Sequence, residues 1–337
     1  MQRNNNPLFV ATMRTGAPTM PRMPLTDTRR AFLQIHFCVL LWGFTAILGK
    51  LITLRALPLV WWRMLIVVAA LACVPRVWRG LRAMSPRLLL SYAGIGVLVS
   101  LHWLTFYGAI KLSNASVGAT CMALATVFTA LVEPPLAHRR FSRREFALGI
   151  AVLPGVALVV GGVPHGMRLG IVVGTVSALF VALFGSLNKR LVEHADPLTV
   201  TAIELGAGTL AMTLLAPLMP LLFPQLAGAL FVLPTPHDAL LLGTLAIVCT
   251  LLPFTLSLVA LRHMSAFAAQ LAVNLEPVYA IVLAIVLLGE QHELTPRFYA
   301  GVAIILGAVL LYPMLSRPQP LRHPEVLGTA EAKGMAE

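Results

Sequence analysis

Long apolar runs alternate with short polar gaps along most of the chain. A bilayer core of about 30 Å needs roughly 17 to 25 residues of α-helix at 1.5 Å per residue. Helix is the expected state, because an open strand would leave backbone groups unpaired in hydrocarbon. The pattern predicts ten membrane-spanning segments, numbered 1 to 10: Phe32–Ile52, Leu57–Val74, Leu88–Ile110, Ser116–Ala137, Phe146–Val163, Leu169–Leu187, Leu198–Phe223, Ala239–Leu261, Ser265–Leu288 and Phe298–Leu315.

The two halves of the chain resemble each other. Lys50-Leu51 returns as Lys189-Arg190-Leu191, a shift of 139 residues, and Ala109-Ile110-Lys111 returns as Ala260-Leu261-Arg262, a shift of 151. Each half holds five segments, an odd number, so the second half must cross the membrane in the opposite sense. The sequence therefore predicts two inverted five-helix repeats, which are a structural signature of secondary transporters.

The repeats account for most of the chain, and the ends differ from them. We assign residues 31–164 to the first repeat and 165–316 to the second. Residues 1–30 are polar and without periodicity, which predicts a disordered tail. Residues 317–337 have a similar character. Both ends are expected to be cytoplasmic tails.

The basic residues indicate the orientation. With the N-terminus in the cytoplasm, 19 of the 25 Lys and Arg residues fall in the inner segments: five in the first tail, four after segment 2, four after segment 4, two after segment 6, one after segment 8 and three in the last tail. Four lie outside and two lie within helices. The positive-inside rule thus favours cytoplasmic termini and, we expect, the cell inner (plasma) membrane.

Composition narrows the class of protein. Hydrophobic residues make up 58% of the sequence and charged residues 11%, against about 25% charged in soluble domains. The net charge of +12 lies in gaps between apolar runs, not on one face of a domain, so no nucleic-acid partner is expected. The four cysteines show no zinc-site spacing, and common enzyme motifs are absent. We expect no enzyme, no cofactor and no metal.

Several motifs resemble those of one known family. They are Trp42-Gly43 followed by Lys50, Pro58 with Arg63, Asn274-Leu275-Glu276-Pro277, and Leu288-Gly289-Glu290. Over roughly residues 32–316, the chain is similar to EamA-type ten-helix transporters of the drug/metabolite transporter superfamily. The first repeat departs from this pattern: it has Ala137-His138-Arg139 in place of Leu288-Gly289-Glu290, with Glu133 just before it.

The resemblance implies a secondary active transporter of small metabolites, such as amino acids or amphiphilic compounds. It implies export coupled to protons by alternating access. Uptake or organic-anion exchange by the same fold is the alternative. A membrane enzyme or a subunit of an ATP-driven permease would be a different class, and the sequence shows neither a clustered catalytic set nor a cytoplasmic coupling loop. Membrane lipid and a small-molecule substrate are the expected partners, and a homodimer is left open.

Charged groups inside the membrane are the first candidates for function. A charge near the bilayer centre costs at least about 2.5–3.5 kcal/mol. Glu276 lies at the middle of segment 9, where it would bind a substrate amine or couple transport to protons. The alternative is a structural ion pair with Arg63. Asn274, Gln270 and Tyr279 add polar groups nearby.

Four more residues complete the set of substrate-binding candidates. Arg63 would clamp a carboxylate through its planar fork, or serve as a counter-ion. Glu204 is expected to face the cytoplasmic vestibule. His102 would line the cavity or bond a backbone carbonyl, and Trp42 would form an aromatic wall or a close helix contact. We expect segments 1–4 and 6–9 to line the cavity and segments 5 and 10 to be peripheral.

Overall fold

The computed structural model describes residues 25–136 and 140–315, and the regular elements within those ranges are helical. Short 3-10 turns occur at His165–Met167 and Glu290–His292, and a π-helical turn at Ile247–Leu251. The α-helices in chain order are α1 Leu25–Leu51, α2 Ala56–Ala72, α3 Pro75–Ala83, α4 Pro86–Leu112, α5 Ala115–Met122, α6 Ala125–Leu136, α7 Arg143–Gly162, α8 Arg168–Leu191, α9 Pro197–Leu215, α10 Met219–Leu222, α11 Pro236–Ala246, α12 Leu252–Leu261, α13 Ala266–Val273, α14 Glu276–Leu288 and α15 Pro296–Leu315.

The helices identify a multi-pass membrane protein. Seven helical stretches in the described ranges are long and apolar enough to cross a bilayer, or eight if the bent pair α2 and α3 is counted as one span. Two shorter apolar stretches, Leu153–Gly162 and Pro296–Ala308, lie in α7 and α15. The count of ten spans and the inverted topology remain predictions.

Helix α1 begins earlier than the apolar pattern suggested. It starts at Leu25, so the last six residues of the predicted disordered tail, 25–30, are helical. Asp27 in the first turn favours this extension, because a negative charge near a helix N-terminus interacts favourably with the helix dipole. The rest of the predicted tails, residues 1–24 and 317–337, lie outside the described residues.

Segments 4 and 9 were expected to be continuous, and each is a broken helix. The first breaks at Ala123 and Leu124, the second at Asn274 and Leu275, positions that are 151 residues apart. At both breaks the backbone tightens: the Ala123 N–H donates to the Thr120 carbonyl and the Leu275 N–H to the Ala272 carbonyl, each at 3.1 Å. The shift matches one seen between the two halves of the sequence, so the broken helices occupy equivalent places in the repeats.

One end of the broken helix of the first repeat is capped by the second repeat. Gly289 ends α14 in the left-handed conformation, with φ of 69°, a backbone geometry that glycine adopts at little cost. Glu290 follows, and its carboxylate accepts hydrogen bonds from the N–H groups of Ala115 at 3.0 Å and Ser116 at 2.9 Å. The Ser116 hydroxyl donates to the same carboxylate at 2.7 Å. The free N–H groups that begin α5 are thereby satisfied.

The reciprocal contact is made by Glu133 of α6. Its carboxylate accepts from the N–H groups of Ala266 at 3.2 Å and Phe267 at 3.0 Å, which begin α13. Glu133 therefore does in the first repeat what Glu290 does in the second, although the two acids are not aligned in sequence. Each repeat caps the broken helix of the other.

Candidate functional site

A cavity of about 130 Å³ lies between the two repeats. Its lining comes from α1, α2, α4, α5, α8, α12, α13 and α14, which belong to segments 1–4, 6, 8 and 9. Five aromatic side chains form most of its apolar wall: Trp42, Trp103, Phe106, Phe184 and Phe254. Six polar or charged residues interrupt that wall: Thr45, Arg63, His102, Ser257, Gln270 and Glu276.

Segments 5 and 10 are peripheral to the cavity, as expected, but segment 7 does not line it. In the described ranges, neither α7 nor α15 lines the cavity, and these two helices pack against each other. Helix α9 of segment 7 also contributes no lining residue, so that expectation was wrong. The reason is that Gly96 of α4 lies directly against the backbone of Glu204 of α9. Helix α9 packs closely against α4, which supplies cavity-lining residues itself.

Arg63 is a buried cation held by neutral groups. It is 2% exposed, and its Nε donates to the Thr250 hydroxyl at 2.6 Å while Nη1 donates to the Tyr107 hydroxyl at 2.7 Å. The guanidinium carbon lies 3.8 Å from the centre of the Trp103 ring, within the range of a cation–π interaction. The π-helical turn positions Thr250, whose hydroxyl donates back to the Leu245 carbonyl at 2.6 Å.

Glu276 shares the cavity with Arg63 but is not bonded to it. Among the described residues, no carboxylate oxygen lies within 4.0 Å of the Arg63 guanidinium. The structural ion pair considered as an alternative is therefore not formed. Glu276 is 8% exposed and lies in the first turn of α14, just after the break in segment 9. Free N–H groups at that helix start favour a negative charge there.

His102 and Trp42 also line the cavity. The Nδ1 of His102 lies 3.1 Å from the Ser177 carbonyl oxygen and 2.8 Å from the Ser177 hydroxyl, which fixes the ring between α4 and α8. A proton on Nδ1 satisfies that carbonyl. The histidine is thus both a cavity wall and the carbonyl-bonded residue that the sequence left as an alternative.

The three other predicted residues lie outside the cavity lining. Asn274 is 1% exposed and donates to the Thr126 hydroxyl at 2.6 Å, which joins the two broken helices. Tyr279 lies in α14 with its Cβ next to Gly43 of α1, and the residue is 39% exposed. Glu204 is fully buried and accepts from the Asn188 amide at 3.3 Å, instead of facing a vestibule.

Sequence reasoning missed several residues of the site. Thr250 was read as part of an apolar run, although it orients Arg63. Phe184 and Phe254 line the cavity from the second repeat. Gln270, by contrast, was named from the sequence as a polar group near Glu276, and its amide nitrogen is buried without a hydrogen-bond partner in the described ranges. That donor remains free for a ligand.

The cavity extends toward one end of the bundle. Its lining reaches Leu261 and Ala266, at the helix ends that carry Arg262 and Lys189. At the opposite end, the repeats are joined by polar contacts. The N–H and hydroxyl of Thr53 donate to the Asp238 carboxylate at 2.9 and 2.5 Å.

The comparisons with known proteins agree with this architecture. The profile of the EamA-like transporter family matches residues 29–161 and 168–313, on either side of the predicted repeat boundary. A protein of known crystal structure aligns with a TM-score of 0.59 and 17% identity, covering 86% of this chain and 99% of that one. At this identity the likeness concerns the fold alone. No curated protein matches the sequence.

Proposed function

Because this chain belongs to the EamA-like transporter family, we propose that it is a secondary active transporter working by alternating access. In this proposal it exports small metabolites, either amino acids or amphiphilic compounds, in exchange for protons. It acts in the inner (plasma) membrane with both termini in the cytoplasm, an orientation supported by the 19-to-4 distribution of basic residues.

The observation that carries the proposal is one cavity with an aromatic wall and with a cation and an acid that form no ion pair within the described residues. Arg63 is buried without an acidic partner within 4.0 Å in the described residues. A buried cation costs several kcal/mol in lost hydration unless an anion compensates it. An anionic group on the substrate supplies that compensation, and the aromatic wall accommodates an apolar body. Gln270 offers a further donor.

The end of the bundle that the cavity approaches supports export as the proposed direction of transport. The helix ends that it approaches are those that the basic residues assign to the cytoplasm. The outer end is held by the bonds between Thr53 and Asp238. This arrangement supports an inward-facing state, the state from which the proposed exporter would load its substrate. Breaking the outer contacts and closing the inner end gives the outward-facing state.

Glu276 is the proposed proton-coupling residue. It lies in the same cavity as Arg63, at the break of a spanning segment, where both sides of the membrane gain access in turn. In the outward-facing state, the Glu276 carboxylate takes up a proton from outside. The protein then returns to the inward-facing state and releases the proton to the cytoplasm before it binds the next substrate. Substrate and proton thus use one cavity in alternation.

The test is flux in liposomes that contain only this protein. A panel of amino acids and aromatic carboxylates is loaded and a pH gradient imposed. We expect Glu276→Gln to fold and bind substrate but to lose the dependence of flux on the gradient. Glu193→Gln, which changes an exposed acid outside the cavity, is the matched control. Intact pH-dependent flux by a stable Glu276→Gln protein would end the proposal, and a loss of thermal stability would indicate a structural role.

Organic-anion exchange is the second candidate function. The lack of an acidic partner for Arg63 within the part of the chain that the structure describes favours it, since an anion must then occupy the site in each half-cycle. Counterflow separates the two functions. An exchanger accelerates uptake of labelled carboxylate when unlabelled carboxylate is present on the other side, with no pH gradient. A proton-coupled exporter responds to the gradient instead.

A further inference from the structure

Helix α3 departs from the direction of the spanning helices. It follows α2 after a short break and is bent by 91° from it. A helix perpendicular to a spanning helix lies along the membrane surface. Helix α3 has nine residues and is therefore about 14 Å long. It lies at the end of the bundle where the linker between α8 and α9 is found, because Arg76 forms an ion pair of 2.5 Å with Asp196.

One face of α3 packs on the protein. Val77 is 6% exposed, and Leu81 and Met84 are half-buried at the i+4 and i+7 positions. Gly80 on the same face lies against the Thr199 side chain of α9. This face is fully used by packing, so it fixes which side of α3 is turned away from the bundle.

The other face combines an aromatic ring with free cations. Trp78 is 47% exposed, and its Nε1 donates to the Ala72 carbonyl at the end of α2 at 2.7 Å. Arg79 and Arg82 are exposed on this face, and Arg87, in the first turn of α4, is also exposed. In the described ranges, none of these three guanidinium groups has a hydrogen bond or an ion pair, in contrast to Arg76.

We propose that this face, formed by Trp78, Arg79 and Arg82, binds the head group of an anionic phospholipid. Tryptophan is enriched at the depth of lipid head groups, and arginine forms bidentate bonds with phosphate. Because α3 lies parallel to the membrane, its tryptophan and its arginines can contact the same lipid head group. The occupant is a lipid and not a soluble anion because Trp78 adds an apolar surface beside the cations. The inference rests on the chain spanning a membrane, and not on its transport activity.

The experiment measures binding of phosphatidylglycerol to the purified full-length protein in neutral detergent. Each basic side chain near an anionic surface contributes about fivefold to affinity, so Arg79→Gln with Arg82→Gln should weaken phosphatidylglycerol binding by roughly thirtyfold. The matched control is Arg168→Gln with Arg297→Gln, two exposed arginines in the first turns of α8 and α15. Its affinity should equal that of the wild type. Equal losses in both double variants would overturn the proposal.

Two further arms keep the result interpretable if a variant folds poorly. Inorganic phosphate and phosphatidylcholine are titrated into the wild type at the same ionic strength. Binding of either as tight as that of phosphatidylglycerol would show a free-anion site or a general lipid surface, and would refute an anionic-lipid site. Brominated phosphatidylglycerol should quench the wild type more strongly than Trp78→Phe. Identical quenching of the two proteins would place the lipid away from α3.

Discussion

Replacing Arg63 by methionine separates a binding role from a structural one. The change removes two hydrogen bonds from a charged donor, worth about 1.5–3 kcal/mol each, and a cation–π contact worth about 2 kcal/mol. It also removes the cost of burying a cation, which is several kcal/mol. The favourable contacts that are lost and the burial cost that is removed nearly cancel. We therefore expect the free energy of unfolding to change by less than about 2 kcal/mol.

Binding should change far more. A substrate carboxylate that has lost its buried cationic partner binds with about 2–5 kcal/mol less favourable free energy. This corresponds to an affinity that is lower by about 30-fold to several thousandfold. The assay compares aromatic carboxylates with their neutral amides, by ligand-induced thermal stabilisation. We expect the wild type to prefer the carboxylate and Arg63→Met to lose that preference. Arg55→Met is the control, since Arg55 also donates two hydrogen bonds, in its case to backbone carbonyls, but lies outside the cavity lining.

Two results would refute this reasoning. An unchanged preference for carboxylates in Arg63→Met would show that Arg63 is not the anion site. Loss of folding in both Arg63→Met and Arg63→Lys would show instead that the two hydrogen bonds of the guanidinium hold α2 against α4 and the π-helical turn.

Two further predictions concern the fold. Glu290→Gln should lower the free energy of unfolding by about 1–3 kcal/mol, because buried N–H groups of α5 lose a charged acceptor. Chemical denaturation in detergent tests this, and an effect no larger than that of Glu193→Gln, a change of an exposed acid far from α5, would contradict the cap. Gly166→Cys, with the native exposed Cys73 replaced, should react with an impermeant thiol reagent from outside intact cells. Reaction only after permeabilisation, or external labelling of the loop at 139–144, would reverse the predicted orientation.

The sequence alone determined the class of protein and much of its plan. Length and apolarity of the runs are local properties, and lipid admits helices in preference to open strands. The predicted segments therefore lie on the observed helices, and the related motifs at Lys111 and Arg262 gave the shift that the two helix breaks share. Glu276 and Arg63 were also predictable, because a charge in an apolar run is costly and needs a reason.

The tertiary structure decided what those charges do. Whether Arg63 bonds an acid or the hydroxyls of Thr250 and Tyr107 depends on contacts across residues far apart in the chain. The same holds for Glu133, which caps α13 as Glu290 caps α5, although the two acids are not aligned in sequence. The position of Asn274 in segment 9 does not show whether its side chain lines the cavity. The rotation of the helix and its close packing decide that, and they direct the side chain to Thr126. Sequence fixes depth in the membrane, whereas packing fixes the direction that each side chain faces.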